Sequence, residues 1–376
     1  RSIVGIFMFG IQTYFLSKAI GYLIRILIFS IDNSLLDQEI FLTFLLGLNI
    51  IDWVSFSSVI IFQALIFSVG IQFNKKLINI SAITVYVGMI IFFFVVFLSD
   101  VQVTSKAFIN ILDFKNFLDI NNLVPLLTVA GTIFTYFSII ILSYGDYSRY
   151  VKDEKSLKKG NLSLILNLII FSFFAVFIVI GSDTFLNQKF EDLDRIFTNP
   201  TDIIGKFDNL QITIIVLFFI IVASASTNLV ANFIPSQYSL INFIPSKLTL
   251  KSASYIISII GFLIGIFWLT FLSQIGILSF IDTFGAFFGP LFGVIIVDYY
   301  LIKKSSLSNK DIYSVEADSV YYYSKGWHIK ALYSLIIGFI FSASTIWNIN
   351  LMFLQSYAWI IGAIVSSTTY YLLAKK

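Results

Sequence analysis

The segment Ile212–Asn232 reads ITIIVLFFIIVASASTNLVAN. Up to Val222 it is Ile, Val, Leu and Phe broken only by Thr213. A helix apolar on every face belongs in lipid or deep inside a large fold. At about 1.5 Å per residue the run crosses a hydrocarbon layer of about 30 Å. Its end, Ala223–Asn232, holds small residues, hydroxyls and two asparagines. Such groups must find partners where water is absent. The rest of the 376-residue chain matches: 58% hydrophobic, 12% charged, with a mean hydropathy of +0.92. A soluble domain carries about twice that charged share, so a soluble enzyme, a nucleic-acid binder and a disordered scaffold are all excluded. The chain has no cysteine and a single histidine, His328. There are therefore no disulfides or thiolate metal sites, and no imidazole-rich metal centre.

Apolar runs of spanning length predict ten transmembrane helices within one domain over residues 1–376: Ile3–Phe29, Asp52–Gly70, Ile80–Leu98, Leu123–Ser143, Leu162–Ile180, Ile212–Phe233, Tyr255–Leu272, Ile277–Leu301, Ala331–Trp347 and Leu351–Leu373. Lys and Arg divide unevenly between the two sets of connections. Those after the odd-numbered spans hold five (Lys106, Lys115, Lys189, Arg195 and Lys206), whereas the other connections and the chain ends hold seventeen. Basic loops stay on the cytoplasmic side, so both ends are predicted there, and adding or removing one span would scramble the alternation. The chain opens on Arg1 with an apolar helix beginning at Ile3, and earlier sequence is expected before it.

Few charges fall within or at the ends of the spans: Lys18, Arg25, Asp52, Asp282 and Asp298. Asp52 and Asp298 stand at span ends, where a carboxylate reaches the interface; Lys18 and Arg25 share one face of the first span. Asp282 is expected near the outer end of its span, with access to solvent. The connection Ser305–Trp327 reads as a cytoplasmic loop with a short amphipathic piece at Lys310–Tyr313.

The remaining polar groups are candidates for chemistry. Ser226 and Thr227 are adjacent hydroxyls one turn after Ala223, and with its carbonyl they form three of the five or six oxygens that a hard cation such as Na⁺ takes. The alternative is helix glue, since Ser and Thr commonly bond their own backbone four residues back. Asn232 offers a donor and an acceptor to a polar ligand. Gln12, beside Gly10 in the first span, either bridges helices or binds a ligand. In the fourth span Gly131, Thr135 and Ser138 would tolerate a break in the helix, and Tyr136 and Phe137 would offer a flat ring a stacking surface.

Phe9-Gly10-Ile11-Gln12-Thr13, Gly145-Asp146-Tyr147-Ser148-Arg149-Tyr150, Ser226-Thr227-Asn228 with Ala231-Asn232, and Pro290-Leu291-Phe292-Gly293 with Asp298-Tyr299-Tyr300 occur in an order that resembles the nucleobase:cation symporter-1 family. That resemblance implies an all-α polytopic membrane protein with the inverted-repeat (5+5) sodium-symporter fold, its first and sixth helices broken. This chain would begin in the third family helix, so the first two would lie before Arg1. By position, the Ala223 carbonyl and the Ser226 and Thr227 hydroxyls match the family's sodium ligands. Asn232 and Gln12 match substrate-side polar groups, and Phe137, next to Tyr136, falls at an aromatic platform. Met8 stands where some members have a stacking Trp, which departs from a two-sided aromatic sandwich.

The resemblance therefore implies a symporter, not an enzyme, that imports a nucleobase or related flat heterocycle (cytosine, uracil, a purine, allantoin or a hydantoin) with Na⁺ as coupling ion and no other cofactor. It would be a monomer in the lipid of a bacterial inner membrane, with no nucleic-acid partner. A proton-coupled carrier is the alternative, against which no carboxylate is expected deep in a span. A channel would need a ring of pore-lining polar groups, and an intramembrane enzyme would need acid–base machinery the sequence lacks.

Overall fold

The computed structural model describes residues 2–112, 119–189, 197–207, 209–268, 277–308, 310–314 and 316–375. Among them, ten helical segments are long and apolar enough to cross a membrane, and no β-strand occurs beyond two isolated bridges. The main helices are α1 (Ser2–Ile31), α2 (Ile50–Phe67), α3 (Ile71–Ser99), α4 (Val101–Ile111), α5 (Leu123–Leu142), α6 (Glu154–Lys189), α7 (Leu210–Thr227), α8 (Ile234–Phe243), α9 (Leu250–Phe267), α10 (Ile277–Val297), α11 (Ile329–Trp347) and α12 (Ala358–Ala374). A π turn, Asn228–Phe233, joins α7 to α8 in one span. A second π turn, Asp298–Ile302, ends α10, and a 3₁₀ segment, Ile349–Tyr357, leads into α12. Helix α4 is too short to span. Asp100 caps it by accepting from the Val103 amide at 3.0 Å, and it buries Thr104 and Phe108. Residues Arg1, Asp113, Lys115, Glu191, Asp192, Asp194, Arg195, Asp208 and Lys376, which enter the charge reading, lie outside the described residues.

The chain groups into two compact units: Arg1–Phe114 with Asp146–Gln274, and Lys115–Gly145 with Ile275–Lys376. In the first, α1 lies against α2 and α9. A Cβ on Gly10 would stand 2.5 Å from the Gly261 carbonyl, so these two backbones meet only because neither carries a side chain. Phe9 packs on Phe233 with ring centres 5.4 Å apart, and Phe56 stacks on Phe262 at 5.5 Å. The span charges of this unit hold structure together. Asp52 forms a capping box with Asn49 at the start of α2 and pairs with Arg25 at 2.8 Å. Lys18 lies over the Tyr14 ring.

In the second unit α10 carries Gly285, Gly289 and Gly293, four residues apart on one face. Added Cβ atoms there would meet Thr135 of α5 at 2.4 Å, the Trp359 carbonyl at 2.1 Å and the Ala363 carbonyl at 2.3 Å. Helix α5 runs unbroken from Leu123 to Leu142, so the break expected between Gly131 and Ser138 is absent and a turn comes instead at Ser143. Gly131 serves close packing, its position facing the Ser356 carbonyl, and Ser138 bonds the Thr135 carbonyl at 2.6 Å. Asp282 also departs from its expected solvent access, being only 3% exposed. Gln355 donates to its Oδ2 at 2.8 Å, and Oδ1 has no donor among the described residues. The cause is the 3₁₀ segment bearing Gln355, which by sequence reads as the start of a span.

Where α10 ends, five side chains close a ring. Asp298 accepts from Tyr370 at 2.6 Å and from Lys303 at 2.7 Å; Lys303 donates to Tyr323 at 3.1 Å; Tyr323 stacks on His328 at 4.0 Å; and His328 Nε2 meets the Tyr370 hydroxyl at 2.8 Å. Because Tyr370 spends its proton on Asp298, His328 is the donor in the last bond, and its Nδ1 is free to protonate. Burial pulls the Lys303 ammonium down, but Asp298 and Tyr323 more than offset it and hold it above its ordinary value. Burial pushes the His328 imidazole below its ordinary value of 6.5; Asp298 opposes this, and Lys303 and Lys330 add to it. The fold therefore prefers neutral His328. The stability this contributes is fully present above the ordinary imidazole value and is lost as the pH falls through the lowered one. Between about pH 7.5 and about pH 5.5 the thermal midpoint of the wild type should fall further than that of His328→Gln. Equal falls would remove His328 from the account.

Candidate functional site

The polar end of α7 and the middle of α1 meet inside the first unit. Pro235 sets the local geometry. It has no amide hydrogen to continue the helical ladder, and the Ile234 amide reaches back five residues to the Leu229 carbonyl, which widens the turn over Asn228–Phe233. In that turn Asn232 Nδ2 donates to Asn228 Oδ1 at 2.9 Å and to Gln12 Oε1 at 2.7 Å. Gln12 Nε2 donates in turn to the Ser224 carbonyl at 3.2 Å. Gln12 and Asn232, separate candidates in the sequence, thus form one amide pair, Asn232 buried and Gln12 half-buried.

Behind the pair lies a buried chain of polar groups. Asn228 Nδ2 donates to Thr13 Oγ1 at 2.9 Å, and Thr13 stands 2.8 Å from Gln63 Oε1 and 2.7 Å from the Phe9 carbonyl. Gln63 Nε2 is buried with no acceptor among the described residues. Asn228, Thr13 and Gln63 carry no role in the sequence reading. The signal for Gln63 is the same as for Gln12, one amide within the apolar run Ile50–Phe67.

The Ser226 and Thr227 hydroxyls both turn back to the Ala223 carbonyl, at 3.0 and 2.8 Å, as the helix-glue alternative describes. Those bonds gather three oxygens at one point, and each hydroxyl oxygen keeps its lone pairs for a further partner. Thr227 is exposed, and with Ala223 and Ser224 it lines a cavity of about 380 Å³ walled by apolar side chains of α3, α6 and α7, among them Met89, Phe92 and Ile178. A hard cation would find here three of its five or six oxygens, all neutral. No cluster of three or more His, Cys, Asp or Glu that could hold a metal occurs among the described residues. Met8 is half-buried and packs with the apolar core beside Phe9. Phe137, half-buried, and Tyr136 belong to α5 in the second unit, and the Tyr136 side chain lies outside the described residues.

Ten spanning helices and a site of amides, hydroxyls and carbonyls, without acid–base or metal machinery in the described part of that site, define a polytopic helical membrane protein. The family model for permeases of cytosine/purines, uracil, thiamine and allantoin matches residues 1–365, and the chain belongs to this family, the nucleobase:cation symporter-1 family. It is 27% identical to a purine-uracil permease of Arabidopsis thaliana over 55% of this chain and 33% of that protein. It is 26% identical to an allantoin permease of Bacillus subtilis over 63% of this chain and 46% of that protein. The chain spans half or less of the length of the curated relatives it matches. Its fold is that of Mhp1. The inward-facing Mhp1 structure is similar at a TM-score of 0.67 and 17% identity, covering all of this chain and 73% of Mhp1. A closed Mhp1 structure with bromovinylhydantoin bound is similar at a TM-score of 0.67 and 18% identity, covering all of this chain and 75% of Mhp1.

Proposed function

We propose that the protein is a secondary active transporter that imports a nucleobase or related flat heterocycle, of the cytosine, uracil, purine, allantoin or hydantoin class, together with Na⁺. The observation that carries this reading is the amide pair Gln12–Asn232, whose Asn232 stands on the same helical span as the Ala223, Ser226 and Thr227 oxygens. The amides bond each other here, and a ring with alternating N–H and C=O groups can exchange with them bond for bond. By the family resemblance Phe137, next to Tyr136 in sequence, falls at an aromatic platform, and Met8 stands where some members have a stacking Trp. Sodium ordering the Ala223–Thr227 oxygens stiffens the span that carries Asn232, so each solute raises the affinity for the other. The protein works as a monomer, multi-pass in a bacterial inner membrane, with both chain ends on the basic, cytoplasmic side.

A second reading, proton coupling, is favoured by Asp282, a carboxyl buried in a span with one oxygen lacking a donor among the described residues. One experiment separates the two. Uptake of labelled cytosine, uracil and allantoin is measured in proteoliposomes of the intact protein under a Na⁺ or a pH gradient. Sodium coupling predicts stimulation by Na⁺ that Thr227→Ala abolishes and Asp282→Asn leaves in place. Asn232→Ala should weaken substrate binding at least about tenfold, the effect of leaving a polar edge unpaired. Uptake indifferent to Na⁺, driven by the pH gradient and uncoupled by Asp282→Asn, would overturn the sodium assignment.

A further inference from the structure

The ring of side chains at the end of α10 borders a cavity of about 480 Å³ in the second unit. Its wall takes Asp298 and Lys303 from the α10 end, Tyr323 and His328 from the following loop, Lys330 from the first turn of α11, and Tyr370 from α12. Both oxygens of Asp298 are already occupied, one by Tyr370 and one by Lys303. Its charge is therefore answered within the wall. The groups left over are mostly donors: the Lys330 ammonium meets no acceptor among the described residues, and Tyr323, which accepts from Lys303, keeps its own proton. Three more lysines stand one residue from lining positions, Lys304, Lys325 and Lys375. With Asp298 answered by Lys303, four further ammonium groups, those of Lys330, Lys304, Lys325 and Lys375, are left in or beside the wall, which makes this an anion site.

Position narrows the anion. The spanning stretch of α10 ends at Ile302, that of α11 begins at Ile329 and that of α12 ends at Ala374, so the cavity opens where three spans leave the hydrocarbon, at the level of lipid phosphates. The loop that closes it is strained. Lys304, Ser305, Tyr323 and Lys325 hold left-handed backbone, with φ of +49°, +59°, +49° and +53°, and Leu46 is the only other non-glycine to do so among the described residues. Such backbone is unfavourable for residues that carry a Cβ and persists where the surroundings fix it, commonly at ligand clamps. The volume also exceeds what a bare ion needs and suits a phosphate carried on a glycerol headgroup. We propose that this cavity binds the phosphate of an anionic phospholipid, tying the lipid to the ends of α10, α11 and α12.

The test is native mass spectrometry and thermal unfolding of the intact protein with phosphatidylglycerol, phosphatidylcholine or inorganic phosphate. The proposal predicts retention of phosphatidylglycerol and a raised midpoint, neither of which phosphatidylcholine produces. Lys330 is exposed. Lys330→Gln should unfold normally without lipid yet bind phosphatidylglycerol about fivefold more weakly, the share of one lysine at a membrane surface. Lys159→Gln, an exposed lysine of α6 in the other unit, should bind as the wild type does. Equal response to the two lipids, or an equal loss in Lys330→Gln and Lys159→Gln, would overturn the proposal. Protection by millimolar-range inorganic phosphate equal to that by phosphatidylglycerol would overturn the lipid assignment in favour of a soluble phosphate.

Discussion

Gly289→Val is expected to prevent stable folding of the second unit, at a cost of at least about 3 kcal/mol. Even the first added carbon would stand 2.1 Å from the Trp359 carbonyl oxygen and 2.9 Å from its carbon. Both obstacles are backbone at the start of α12, which no rotamer change can move. Moving the α10 backbone away would in turn open the contacts at Gly285 and Gly293, whose positions face Thr135 and Ala363 within 2.4 Å of where a side chain would begin. Lipid supplies no hydrophobic drive between helices, so such backbone contact is the main source of cohesion, and losing it is not compensated elsewhere. Gly160→Ala is the matched control: an exposed glycine of α6 with nothing within 4 Å of the added carbon. It should leave the protein unchanged or stabilise it by about 0.5–1 kcal/mol, since alanine is the better helix former. Fluorescence-detected size exclusion and thermal midpoints in detergent would check both. A monodisperse Gly289→Val with an unshifted midpoint would contradict the close packing of α10 on α12.

These glycines show which parts of the fold can be read in the chain. Their four-residue spacing is visible in the sequence, and so are the ten apolar runs, because a spanning helix must hide every backbone amide within itself and needs about twenty apolar residues to do it. Gln12 and Asn232 are equally legible: an amide in an apolar run must have a partner. What is not legible depends on pairing across the chain. Gln12 and Asn232 are 220 positions apart, and nothing local in either run specifies the other. Asp282 reads as solvent-accessible because its cover, Gln355, sits on a 3₁₀ segment that in sequence reads as the start of a span but is wound differently. The π turn is signalled by Pro235 soon after a polar stretch, yet proline alone does not distinguish a wide turn from a kink. Charge alternation, by contrast, is legible without any structure, since it records side-to-side asymmetry and not packing.

Asn228→Leu should destabilise the first unit by about 2–4 kcal/mol and impair the candidate site at the same time. Asn228 is fully buried, and its side chain links the Gln12–Asn232 pair to Thr13. Leucine keeps the branch at Cγ and is the bulkier side chain, so no cavity opens and the cost comes from the lost polar partners with some crowding. It leaves Thr13 Oγ1 without its donor, and the Asn232 amide loses the acceptor that holds it within the widened turn. Side-chain hydrogen bonds in membranes are individually modest, about 0.6 kcal/mol on average, and the three that Asn228 makes, to Thr13, to the Phe9 carbonyl at 3.3 Å and from Asn232, reach about 2 kcal/mol together before any penalty for the orphaned groups. Thr13→Val removes the next member of the same chain, and its effect should overlap with that of Asn228→Leu, because each breaks the bond the other would. The double variant should therefore cost about 1 kcal/mol less than the sum of the single ones. Asn232 keeps its bond to Gln12 in both variants, so a substrate affinity that falls in Asn228→Leu measures the loss of orientation and not of the contact itself. Thermal midpoints and ligand binding on the two single variants and the double variant give both quantities. Strict additivity, or a midpoint unmoved by Asn228→Leu, would show that the buried chain from Gln63 to Asn232 does not act as one unit.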